Sequence, residues 1–187
     1  ADLLSKWINR AADISENHGA AFALAGYRGV GKSPFLATFG TILGNGELRV
    51  RVREPIIETA TRSLQRRQFA MGSVRRGTGD TLLEELKEGL APIIGIQPAD
   101  LSNSVSEILM QATMNPASES VVLIIDTALE RTARVSRDDG PLLTEIASVA
   151  KQLGIFVAIA LDDDIAGADG ANAGIAAEYS IDYLDQE

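Results

Sequence analysis

The chain has 187 residues, enough for one sizeable domain or a compact pair. Its 45% hydrophobic and 23% charged content reads as globular, and no apolar run nears the ~20 residues of a membrane-spanning helix. Zero Cys excludes disulfides and thiolate metal sites, a lone His18 excludes a His-built centre, and a net charge of −9 argues against direct nucleic-acid binding by this segment. The composition suits a cytoplasmic setting. The chain opens at Ala1 with neither an initiator Met nor a basic-then-apolar leader, so it reads as a piece of a larger protein.

In chain order, residues 2–17 place Leu3, Leu4, Trp7, Ile8 and Ala11 on one helical face, with Gly19 as its left-handed cap and His18 at its dipole end. "AAFALAG" is a short buried strand that runs into a glycine-rich turn. "KSPFLATFGTILG" is a helix with Phe35, Leu36, Phe39, Ile42 and Leu43 inward and Gly44 as its stop. "ELRVRVRE" alternates like a strand, but its alternating partners are Arg, so a short helix or loop is expected there, then a helix from about Pro55 to Arg67. "QFAMGSVRRG" is a strand ended by Gly77; its Arg75–Arg76 pair suits either a partner contact or plain solvation.

"DTLLEELKEGL" is a helix capped by Asp80 or Thr78, with Leu82, Leu83, Leu86 and Leu90 on one face. A helix with Val105, Ile108 and Leu109 follows, then "SVVLIID", an uninterrupted buried strand ending at Asp126. After an Arg- and Asp-rich loop, "PLLTEIASVAKQLG" is a helix with Pro141 in its first turn and Gly154 past its end. "IFVAIAL", ended by Asp162, Asp163 and Asp164, and "EYSIDYL" are the last strands. Strands alternating with helices predict a mostly parallel sheet covered on both faces, three layers in all. Ligands of such sheets sit at the carboxyl ends of strands, which puts Gly26–Ser33, Asp126 and Asp162–Asp164 on one rim.

The stretch "GYRGVGKS" fits G-x-x-x-x-G-K-[ST] between a buried strand and an amphipathic helix, the context this motif requires. Gly26, Gly29, Val30 and Gly31 provide backbone N–H groups that bend around phosphate, Lys32 a mobile ammonium, and Ser33 a hydroxyl for Mg²⁺. Asp126 is the second metal-holding candidate. The expected ligands are therefore ATP and Mg²⁺. Pro34 brings no N–H and biases Ser33 away from the helical region. In such loops the N–H just after the Ser commonly reaches the α-phosphate, so nucleotide is expected to bind more weakly here. Thr127 cannot serve as a base; Glu130, one helical turn further on, is the first substitute, and an aspartate of 162–164 the second. Arg131, Arg134 and Arg137 either touch a terminal phosphate or pair with Asp138, Asp139 or Glu130 at the surface.

The stretches "FALAGYRGVGKSPFLATFG", "VVLIIDTALERTARVSRDDGPLLTEIASVAKQLGIFVAIALDDDIAG" and "YSIDYLDQE" resemble the nucleotide-binding core of large bacterial phage-defence ATPases of the Pgl/BREX type, within the AAA+ and STAND group. The likeness runs from about Ala20 to the end. It implies a P-loop NTPase fold with strand order 5-1-4-3-2, one core domain over 1–187 (helix 1–18, α/β core 19–187), and work as a motor or switch beside other domains or subunits of a defence complex. Lys32, Ser33 and Asp126 carry over; the catalytic set is read as Lys32, Asp126 and Glu130. Three departures stand out: Pro34, Thr127 in place of a Glu, and no helical lid or second sensor arginine after the last strand. The alternative is a module that binds nucleotide without hydrolysing it.

Overall fold

The computed structural model describes residues 1–64, 66–114, 120–127, 139–162 and 173–184, with only the backbone at Asp162. Five strands form one sheet: β1 (Ala20–Gly26), β2 (Phe69–Arg75), β3 (Ser120–Asp126), β4 (Phe156–Asp162) and β5 (Ser180–Tyr183). Their spatial order is β2-β3-β4-β1-β5, and every pairing is parallel. Counted from the other edge this is 5-1-4-3-2, the order that the resemblance implies.

Two helical layers cover the sheet. On one face lie α1 (Asp2–Asp13), α2 (Lys32–Gly44) and α4 (Pro55–Ser63), with the short α3 (Gly46–Arg49) beside α2. On the other lie α5 (Leu82–Ile94), α6 (Val105–Thr113), α7 (Asp139–Leu153) and α8 (Ala173–Glu178). The central strands read as unbroken apolar runs because alternate residues enter different cores. Phe156, Ala158 and Ala160 of β4 face the α1–α2 side, and Val157, Ile159 and Leu161 the α7 side.

Trp7 centres the first core. Its ring lies 5.1 to 6.3 Å from those of Phe22, Phe35, Phe39 and Phe156, edge-on to Phe35 and Phe39, the geometry that aromatic quadrupoles favour, and tilted against the other two. The indole N–H donates to Asp182 at 2.8 Å, so the only polar atom of this buried ring ties α1 to β5.

Three arginines of the Arg-rich first half are structural, while Arg51, Arg53, Arg62, Arg66 and Arg75 are exposed. Arg49 is buried and donates to the carbonyls of Ile42, Leu43 and Arg67, closing the C-terminal end of α2, which has no basic residue in its last turn. Burial holds its pKa below the usual guanidinium value. Arg67 does the same for α1, donating to Ala12 O at 2.6 Å and Ile14 O at 3.0 Å. Arg76 binds Asp139 at 3.0 Å and Glu85 at 3.1 Å. Burial works against its charge, but the bonds and charges of Asp139 and Glu85 outweigh that and raise its pKa. Arg76 is thus a strut between β2, α5 and α7, neither a partner contact nor a solvated charge.

Other boundaries differ from expectation for local reasons. The first helix stops at Asp13, with Ile14 extended; Ser15 and His18 then exchange backbone hydrogen bonds around a turn at Asn17 (φ 62°). Gly19 is no cap: a Cβ there would lie 2.3 Å from the Ala150 carbonyl oxygen, so close approach to α7 demands it. The helix expected to stop at Gly44 ends there, but its cap is the extended Asn45, and Gly44 makes room for Met71. The helix expected to reach Arg67 ends at Ser63. Helix α5 is capped by Thr81 in a reciprocal box with Glu84, not by Asp80 or Thr78. Gly154 is the left-handed residue after α7, as expected (φ 72°). Replacing Arg76 by Ala takes the cation away from two carboxylates, Glu85 and Asp139, that are under 10% exposed, while Glu85 keeps the Gly77 and Gly79 backbone N–H groups. The expected loss is about 3–5 kcal/mol of unfolding free energy in a urea titration.

Candidate functional site

The carboxyl ends of the strands meet at one rim. Gly26 is in register with Asp162, and Arg75 with Asp126. The chain leaves β1 at Gly26 with a φ of 154°, and a Cβ there would lie 2.6 Å from the Leu184 carbonyl oxygen, so the position excludes a side chain. Val30 N–H donates to Tyr27 O at 3.3 Å, closing a turn. Gly31 then takes a left-handed conformation (φ 107°) as the N-cap of α2. The first turn of α2 holds no acidic residue, so the helix dipole presents an uncompensated positive end there.

Lys32, Ser33 and Pro34 are the first three residues of this helix. Lys32 is only 3% exposed; its Nζ donates to Gly26 O at 2.5 Å and Tyr27 O at 2.9 Å, so the ammonium spans the loop from inside. Ser33 is helical despite the proline after it. Its hydroxyl donates to Asp126 Oδ1 at 3.2 Å, across 93 residues of chain. The expected displacement of Ser33 by Pro34 therefore does not occur. At the third helical position the missing N–H costs the helix nothing, since that donor has no intrahelical partner.

A cavity of about 260 Å³ is lined by Arg28, Gly29, Gly31, Lys32, Ser33 and Pro34. A second, of about 320 Å³, opens from Ser33 and Asp126 along α2 and the outer strand β2, reaching Met71, Ile124 and Arg75. Thr127 follows Asp126 and is buried, its hydroxyl donating to Ala160 O at 2.5 Å. It locks β3 to β4 and has no proton-accepting role to offer.

The structure brings together Gly26, Gly29, Val30, Gly31, Lys32, Ser33 and Asp126. Glu130, Asp163, Asp164, Arg131, Arg134, Arg137 and the side chain of Asp162 lie outside the described residues. Sequence reasoning passed over Arg28, an exposed cation on the loop cavity, and did not resolve Arg75 from Arg76. Arg28 sits inside the motif's own variable positions, which was the signal for it.

The donor set suits a small hard cation bound with phosphate: a hydroxyl and a carboxylate oxygen, already adjacent. Among the described residues no group of three or more His, Asp or Glu could hold a metal unaided, and no helix is long and apolar enough to cross a membrane.

No family model and no curated protein matches the chain. Among solved structures, it is similar to a chain of Drosophila ORC bound to DNA, at 15% identity and a TM-score of 0.56, covering 98% of this chain and 41% of that one. It is also similar to Cdc6p from Pyrobaculum aerophilum, at 16% identity and a TM-score of 0.50, covering 98% and 42%. The chain thus spans about two fifths of the structures it resembles. This chain has the α/β fold of both, a five-stranded parallel sheet flanked by helices.

Replacing Thr127 by Val leaves the buried Ala160 carbonyl without this donor. Unfolding free energy should fall by about 1–3 kcal/mol in urea titrations.

Proposed function

We propose that this chain is an ATP-binding P-loop domain that hydrolyses slowly and works as a motor or switch. The observation that supports this most is the 3.2 Å approach of Ser33 Oγ to Asp126 Oδ1, beside a glycine loop with a buried lysine. In this reading the N–H groups from Gly29 to Ser33 and the Lys32 ammonium hold the phosphates. Ser33 and Asp126 hold Mg²⁺, which when bound neutralises phosphate charge. Glu130 orients the attacking water, with an aspartate of 162–164 as the substitute. The sequence resemblance described above supports a place in a bacterial phage-defence assembly, among other domains or subunits. The ORC neighbour is bound to DNA; for this segment, a net charge of −9 favours no direct nucleic-acid contact.

The second reading, a nucleotide-binding module without turnover, draws on Thr127, whose buried hydroxyl stands where a base would be needed. Single-turnover hydrolysis of Mg·ATP separates the two. Turnover lost in both Lys32→Ala and Glu130→Gln supports the first reading; tight binding with no turnover supports the second. Turnover untouched by Lys32→Ala overturns the assignment of this loop.

Pro34 lines the phosphate cavity without an N–H to offer. Pro34→Thr restores one donor to a charged acceptor, and calorimetry with Mg·ATP should show about ten- to a hundred-fold tighter binding. Equal affinities would contradict this role for the position.

A further inference from the structure

Arg75 ends the outer strand β2, and its direction follows from the strand. Along β2, Phe69 and Met71 enter the core beneath α2, while Ala70 and Val74 enter the opposite core. By the two-residue period, Ser73 and Arg75 also face the α2 side. On β3 the residues of that side are Val122 and Ile124, so Asp126 shares it. Arg75 and Asp126 are register partners on one face. A strand spacing of about 4.8 Å separates them, and Asp126 is 3.2 Å from Ser33. All three line the same cavity of about 320 Å³.

The two neighbouring arginines have opposite surroundings. Arg76 is held by Glu85 and Asp139 beneath the other face. The Arg75 side chain is exposed, and among the described residues its guanidinium has no hydrogen-bond or ion-pair partner. Its planar fork of donors suits a phosphate better than a point charge would. The loop residues Gly29–Lys32 line the other cavity, and Ser33 borders both. A polyphosphate that lies along the loop with its metal at Ser33 and Asp126 brings its far end towards Arg75.

We infer that Arg75 is the cation that contacts the terminal phosphate from within the same chain, so that the site prefers nucleoside triphosphate to diphosphate. This rests on the reading of the loop as a Mg·ATP site. It adds to it a side chain that responds to the presence of one phosphoryl group.

The test is calorimetric titration of wild type, Arg75→Ala and Arg75→Lys with the Mg²⁺ complexes of ADP and of the imido analogue of ATP. Arg75→Ala should weaken the triphosphate analogue by about ten- to a hundred-fold and ADP by under about two-fold. Arg75→Lys should recover part of the difference, and the urea midpoint should hold, because the side chain is exposed. Equal weakening of both ligands, or of neither, overturns the inference and leaves the Mg·ATP reading standing. A wild-type chain that binds neither ligand overturns both.

Discussion

The site depends on one approach: the N-terminus of α2 against the end of β3, where Ser33 and Asp126 meet. Neither residue is near the other in sequence. Strand β4 stands between β1 and β3, and α2 crosses back over the sheet to reach the third strand. The parallel arrangement makes this possible, because all carboxyl ends open on one rim. Helix dipole, loop amides and carboxylate are thereby brought to a single place.

That placement has to be held rigidly, and the chain does so largely with arginine. Arg49 closes the far end of α2, Arg67 the end of α1, and Arg76 fixes the turn after β2 to α5 and α7. The Arg76 backbone N–H also donates to Asp126 O at 3.0 Å, so the strut reaches the site itself. Each of these guanidinium groups donates to carbonyls or carboxylates at the ends of helices and strands, where polar groups held away from water need partners. Three arginines of an acidic chain thus go into the scaffold, and among the described residues Arg28 and Arg75 are exposed cations lining the two rim cavities.

The sequence made the regular parts legible. The β1 and β3 segments are apolar runs bounded by Gly26 and Asp126, and both end where expected. Helix α2 likewise spans the residues read from its apolar spacing. What stayed hidden was decided by contacts distant in the chain. Nothing local announces that Gly19 must clear α7, that Thr81 rather than Asp80 caps α5, or that Arg76 finds Asp139 63 residues later. Pro34 misled in another way: its local bias against a helical Ser33 is overridden by the helix that Gly31 starts. The motif residues were legible because phosphate chemistry restricts both their types and their spacing. Arg75 was not, since its role depends on strand register.

The most direct test is a crystal structure of the chain grown with Mg²⁺ and a non-hydrolysable ATP analogue. The account predicts three phosphates along Gly29–Ser33, with the metal bordered by Ser33 and Asp126. An empty loop, or a Pro34 ring occupying the path of the phosphates, would contradict it.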